Sequence, residues 1–484
     1  MTVVALCLVA ASCGGHSAPA ASAPAVNSLT VKSCTVDGRA ARCGTLIVPE
    51  DRLTGQGRTI PVRFVVIPAT SADRAPDPVV YFAGGPGGST VDDIPSELAD
   101  FADLNVHRDL VFVEQRGTGQ SSPLYCPAFP GSLAEQAALQ ASVRSCVAHL
   151  HGDLRFYTTA MYVDDVNQVL GDLHYAKANL MGISYGTAVE QVFLLRHPDR
   201  VRTMTFQGGT PLNVPLWERR PGNAQLALDY TFARCESQPA CHQAFPHLAA
   251  DWASLWASLG KSPWVLPAAQ SPTKTTQRIN QDGLAISVYQ ALYDYHQGLI
   301  PVVIHTLATA KDKAAAITAV INAAQASAPA PADSGGEQMM ADEIECVEPW
   351  SSQRPAALSD QRDSFYYHLG LGIAQWYQLV CPLIPKSSAA VGDQHLTVSN
   401  VPVLAFNGAG DPIDPPSNMA RAQRFWPNSR DIALPGQGHD VDSGSWAACA
   451  GPLTQAFIEQ ASVAHLDTSC LATAPTPVFA LTLS

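Results

Sequence analysis

The chain has 484 residues, of which 46% are hydrophobic and 15% charged, with a formal net charge of −13. That length and apolar content allow a large core in two or three structural units, and the composition excludes a disordered or fibrous chain. No run of Lys or Arg stands out against the acidic balance, so nucleic acid and anionic lipid headgroups are poor candidate partners.

The first 25 residues read MTVVALCLVAASCGGHSAPAASAPA. Val3 to Ala11 is apolar, too short to span a bilayer and of the length of a signal-peptide core. Ala10-Ala11-Ser12-Cys13, followed by two glycines, is similar to a bacterial lipoprotein cleavage box, which makes Cys13 a candidate lipid anchor; plain secretion is the alternative. The Ala/Pro/Ser stretch after it reads as a tether. Export, secreted or held at the bacterial cell envelope, is the expectation. Apart from Cys7 and Cys13, the cysteines fall into sequential neighbours, as disulfides of an exported chain do. The simplest pairing is 34–43, 126–146, 235–241, 346–381 and 449–470, with other connectivities open. No C-x-x-C or H-E-x-x-H spacing occurs. No metal or other cofactor is expected.

Downstream, GRTIPVRFVVIPA (57–69) alternates in part, as a half-buried strand does. DPVVYFAGGPGGS (77–89) and RDLVFVEQRGTGQS (108–121) are apolar runs that end in glycine-rich turns. TAMYVDDVNQVLGDL (159–173) has helical spacing, ANLMGISYG is a short apolar strand, and TAVEQVFLLRHP reads as an amphipathic helix stopped at Pro198. VRTMTFQGG (201–209) is again a strand into glycines. Strands alternating with helices predict an α/β fold: a mostly parallel central sheet with helices on both faces.

From about Pro215 the pattern turns helical. NAQLALDYTFARC, QDGLAISVYQALYDY and IPVVIHTLATAKDKAAAITAVINAAQ all read as helices, interrupted by the low-complexity ASAPAPADSGGE (326–337). Strand–turn grammar resumes at VPVLAFNGAGDPIDPP (401–416) and SRDIALPGQGHD (429–440). The predicted organisation is a leader and tether over 1–25, a core over 26–214 and 399–484, and a helical cap inserted over 215–398.

Ser184, between Gly182 and Gly186, sits where a strand turns sharply into a helix, the setting of a nucleophile elbow. A serine hydroxyl is a weak nucleophile until a base removes its proton, and that base needs a carboxylate to hold its tautomer. On a parallel sheet these partners belong on turns after later strands, in the order Ser, acid, His. Asp411 and His439 each follow a predicted strand and a glycine; Asp414 is the spare acid, and His395 and His465 lack that setting. Oxyanion donors are expected from the Tyr185 backbone N–H and from Gly85 or Gly87 of GGPGG, since Pro86 has none.

Together, GGPGGS, EQRGTGQS, GISYGT, GAGDPIDPP and GQGHD resemble the α/β-hydrolase family of proline iminopeptidases and secreted tripeptidyl aminopeptidases. The region after about Ser387, with Cys449 and Cys470, is similar to the C-terminal segment of the tripeptidyl branch. The resemblance implies an α/β-hydrolase fold with a cap, Ser184 as nucleophile, Asp411 as orienting acid and His439 as base. It departs at Glu114, where the family motif usually has Asp, and at Ala83, where many relatives of the wider fold carry His. The implied activity is removal of single residues or short peptides from substrates with a free N-terminus. Glu343, Glu345 and Glu348 in MMADEIECVEPW are candidate ammonium ligands, the alternative being a solvated acidic helix face. Trp350, Trp376 and Tyr377 are candidates for an apolar side-chain pocket or for core. A carboxylesterase with the same triad, and a catalytically silent surface protein, are the competing functions.

Overall fold

The computed structural model describes residues 26–127, 129, 135–293, 295–327, 337–348, 355–387, 395–441 and 443–483. The leader and tether, including Cys7 and the Cys13 lipidation motif, lie outside the described residues, as does Trp350.

A nine-stranded sheet organises the chain. Three strands, β1 (Leu29–Val36), β2 (Arg39–Pro49) and β3 (Thr59–Ile67), run antiparallel in sequence. β4 (Val79–Phe82), β5 (Leu110–Val113), β6 (Ala178–Ile183) and β7 (Val201–Gln207) follow. A small hairpin, β8 (Trp264–Leu266) with β9 (Gln277–Ile279), forms a separate sheet. Last come β10 (Val403–Gly408) and β11 (Ser429–Leu434). The order across the main sheet is β1-β2-β3-β5-β4-β6-β7-β10-β11, and everything from β5 to β11 is parallel.

The apolar runs VVYF and LVFV are buried along their whole length, because helices cover both faces. Alternation assigns Val80, Phe82, Val111 and Val113 to one face, with helices Thr159–Asp172 and Tyr185–Arg196. Val79, Tyr81, Leu110 and Phe112 face the other, with helices Ile94–Asp100 and Gly451–Gln460. Between β7 and β10 the chain is mainly helical and has its own core, built on Leu228, Trp252, Leu255, Val288 and Ile304. Among the described residues, five disulfides join sequential neighbours: Cys34–Cys43, Cys126–Cys146, Cys235–Cys241, Cys346–Cys381 and Cys449–Cys470.

Four features differ from the sequence reading. The β1–β2 hairpin is additional to the expected strands, although Asp37-Gly38 signals it: both residues have positive φ, 47° and 73°, as a tight hairpin turn demands. The region after β7 is not purely helical, since it contains β8 and β9. The long helical run from Ile300 breaks at Ala310–Asp312 into Ile300–Thr309 and Lys313–Ser327. Finally, Tyr185–Arg196 is not amphipathic: every residue from Tyr185 to Leu194 is buried, because the helix packs on β4, β6 and β7 and beside helix Thr159–Asp172, and Gln191 is bonded to the Thr210 carbonyl and the Leu212 N–H.

Candidate active site

Ser184 stands at the junction of β6 and helix Tyr185–Arg196 with φ 53° and ψ −118°. This is a strained conformation for a side-chain-bearing residue, and it turns the hydroxyl out of the sheet edge. The flanking glycines are steric necessities. A Cβ on Gly182 would lie 2.4 Å from the Gly186 carbonyl carbon, and one on Gly186 would lie 2.2 Å from the Phe82 oxygen. The loop after β4 approaches equally closely, since a Cβ on Gly84 would meet Ser184 Cβ at 3.4 Å. The Gly85-Pro86 bond in that loop is cis, and Gly85 and Gly87 have φ of 118° and 104°.

The C-terminal ends of β7, β10 and β11 supply the other side of the site. Ser184 N–H donates to Gln207 O at the end of β7, and the adjoining Gly208 abuts His439, with Cε1 3.3 Å from where a Cβ would be. Asp411 follows β10 and is 1% exposed; its Oδ1 accepts the N–H groups of Ile413 and Asp414, at 2.7 and 2.9 Å. Oδ2 is thereby aimed at His439 Nδ1, 2.9 Å away. Asp414 Oδ2 is 3.7 Å from the same nitrogen. His439 Nε2 is buried and has no hydrogen-bond partner among the described residues. Burial pushes the imidazole pKa down, but the charges of Asp411, Asp414 and Asp440 prevail and lift it to about 9. Asp411, Asp414 and His439 offer ligand atoms within 4.8 Å of one another, as a metal cluster would. The Nδ1 hydrogen bond accounts for Asp411, while Asp414 stands 3.7 Å from the same nitrogen without one.

Ser184 opens into a cavity of about 110 Å³ whose walls include Gly85, Tyr185, Trp217, Arg220, Tyr293 and Glu345. The Tyr293 ring also packs 4.8 Å from the His439 ring. Of the three acids in the predicted acidic helix, only Glu345 reaches this cavity. It accepts a hydrogen bond from Trp217 Nε1, and burial pushes its carboxyl up to about 8, against the pull of Trp217 and Arg220. The helix Glu337–Val347 ends before Glu348, whose carboxylate instead accepts from Thr159 N–H and Oγ1 at 2.8 and 2.9 Å. Glu343 is fully buried away from the cavity, and burial holds its carboxyl well above the usual range. A solvated acidic face is therefore not what this helix presents.

Trp376 donates to Asp342 at 3.1 Å, and Tyr377 packs on Trp217 with centroids 5.7 Å apart. Trp217 and Arg220, whose guanidinium lies 3.8 Å over the Trp217 ring, are not singled out by the sequence. They come from the helix Leu216–Ser237, and no motif marks them. The EQRG motif has a scaffolding part. Arg116 is fully buried, forks onto Asp165 at 2.7 and 2.8 Å and donates to two backbone carbonyls. Glu114, pushed up to about 7 by burial, hydrogen-bonds Ser89 of the GGPGGS loop.

A parallel sheet that carries a serine elbow, with an Asp–His pair on the turns after later strands, defines the α/β-hydrolase class. The chain belongs to the α/β-hydrolase fold family, which it matches over residues 77–441. It is 26% identical over 250 residues to a tripeptidyl aminopeptidase of Streptomyces coelicolor, a match covering 46% of each chain. It is 28% identical over 131 residues to a probable proline iminopeptidase of Leptolyngbya boryana, covering 27% of this chain and 31% of that one. The alignable part is thus less than half the length of these relatives. A crystal structure of a Mycobacterium smegmatis proline iminopeptidase aligns over 86% of this chain and 98% of its own, at 16% identity and a TM-score of 0.39.

Proposed function

We propose that this protein is an exported serine aminopeptidase that removes a single residue or a short peptide from substrates with a free N-terminus. In this reading His439 Nε2 takes the Ser184 proton as Oγ attacks the scissile carbonyl. The Tyr185 N–H and one from Gly85 or Gly87 receive the developing oxyanion. Collapse expels the leaving amine, to which His439 returns the proton, and water then hydrolyses the acyl-enzyme by the same steps.

The observation that carries the aminopeptidase reading is Glu345, a buried carboxyl in the wall of the Ser184 cavity. A carboxyl whose ionisation burial disfavours gains a counter-ion when an ammonium group enters, so the pair forms with little competition from water. Glu348 and Glu343 do not line the cavity, and the ammonium site is proposed at Glu345 alone. The volume of about 110 Å³, well under the ~300–1,000 Å³ of drug-sized pockets, suits one terminal residue, the rest of the substrate lying outside. The helical region over 215–398 would act as a cap that admits small or unfolded peptides. Five disulfides support export, because such bonds persist in oxidising compartments; lipid attachment at Cys13 is the anchored form of the same proposal. The names of the aminopeptidase relatives point the same way.

The test is Ser184→Ala, which should abolish both hydrolysis of peptide anilides and labelling by a fluorophosphonate. Hydrolysis that survives this change would end the serine-hydrolase reading.

A further inference from the structure

We propose that Asp414 is a second carboxylate for the His439 imidazole, a positioning residue that faces Nδ1 alongside Asp411 and takes over when the Asp411 charge is removed. This rests on the triad proposed above. The spare acid of the GAGDPIDPP turn is not on the surface: Asp414 is 3% exposed and lines the Ser184 cavity. Its Oδ2 is 3.7 Å from His439 Nδ1, too long for a hydrogen bond but less than an ångström from one, while Asp411 Oδ2 is at 2.9 Å.

The two carboxylates are held differently. Asp411 is pinned by two backbone N–H groups on Oδ1. Asp414 Oδ1 accepts from the Thr210 hydroxyl, which in turn accepts from Asn418 Nδ2 at 3.0 Å, and the Asp414 carbonyl accepts from Asn407 Nδ2 at 2.6 Å. These contacts fix the Asp414 backbone and one carboxyl oxygen, leaving Oδ2 toward the imidazole. Burying a carboxylate is costly unless a positive group faces it, and the imidazole 3.7 Å from Oδ2 is the group placed to do so.

The charged and titratable groups around the pair are Asp411 and Asp414 from the turn after β10, Asp440 beside His439, Tyr293 and Tyr289 from helix Gln281–Tyr293, and Arg220. Burial and the Asp411 charge push Asp414 up to about 7, with His439 and Arg220 opposing. Removing the Asp411 charge removes that repulsion, and Asp414 then ionises and receives the Nδ1 proton. The sign of the reverse change also follows. An Asp414 anion stabilises the imidazolium, so neutralising Asp414 lets His439 lose its proton at lower pH.

The experiment compares wild type, Asp411→Asn, Asp414→Asn, the double variant and His439→Ala, each checked for a native melting transition. The readouts are kcat/KM on a peptide anilide and the rate of Ser184 phosphonylation by a fluorophosphonate from pH 5 to 10. The expected result is that Asp411→Asn retains activity within about 10²-fold of wild type. The double variant should fall by about 10⁴-fold, the scale of losing the orienting acid altogether. Asp414→Asn should shift the acidic limb of the phosphonylation profile down by about one pH unit. An Asp411→Asn variant as inactive as the double, or an Asp414→Asn profile superimposable on wild type, would overturn the proposal. Phosphonylation unaffected by His439→Ala would remove the triad itself, and is distinguishable because it does not involve either aspartate.

Discussion

In the proposed function, Glu345 and His439 are the single residues on which the chemistry turns, and each makes a definite expectation. Glu345→Gln keeps the shape and the Trp217 hydrogen bond but removes the charge that an entering ammonium needs. It should lower kcat/KM for free-amine substrates by about 10²-fold, the cost of losing one partner of a buried charge pair. Phosphonylation of Ser184 should change little, and an equal loss in both assays would place Glu345 outside substrate binding. His439 must be neutral to accept the Ser184 proton, and the surrounding carboxylates hold its pKa near 9. The phosphonylation rate should therefore rise with pH and level off only above about pH 9; a plateau reached by pH 7 would contradict this electrostatic picture. The meeting of Asp411 with His439 was legible in the sequence because strand, glycine and turn in succession place each on the same sheet edge. The cavity contacts of Glu345, Trp217 and Arg220 were less legible. Which acid faces the site depends on where one helix ends, a matter of a single residue past Val347.

At the scale of elements, the helix Glu337–Val347 that presents Glu345 is tied through Cys346–Cys381 to the end of helix Tyr367–Val380. A paired Cys346→Ser/Cys381→Ser change should loosen the proposed ammonium site without touching the elbow. KM for free-amine peptides should rise about tenfold, in keeping with the cost of misplacing a binding group, while Ser184 phosphonylation stays within about twofold. Parallel changes in both readouts would mean that the disulfide supports the whole fold instead. The buried strands β4 to β7 were readable because each is a short apolar run bounded by turn residues, in a chain where such runs alternate with helical spacing. The helix Tyr185–Arg196 misleads because its polar residues, Glu190 and Gln191 among them, suggest a wet face. Glu190 is in fact fully buried, and Gln191 donates to Thr187 O and Thr210 O. Periodicity reports which residues tolerate water, and tertiary packing overrides it here.

For the whole molecule, the sheet, the loops at its C-terminal edge and the helical region must hold one geometry, and Arg116 is central to that. It joins the turn after β5 to helix Thr159–Asp172 through Asp165, which Arg52 also pairs with at 2.5 Å. Arg116→Met would leave a buried carboxylate short of its main partner and two carbonyls without donors, costing about 3 kcal/mol or more. Thermal unfolding should show a clear drop in Tm, and an unchanged Tm would mean that Arg52 alone compensates. The EQRG motif is visible in the sequence only as part of a resemblance; its physical role emerges from long-range contacts that no local pattern encodes. The proposed serine aminopeptidase activity is decided by hydrolysis of p-nitroanilide peptides of one to three residues, each with and without N-acetylation, beside p-nitrophenyl acetate. The expected result is anilide turnover only with a free amine, lost in Ser184→Ala. Equal turnover of acetylated peptides, or cleavage of the ester alone, would contradict it and leave a hydrolase without an ammonium site.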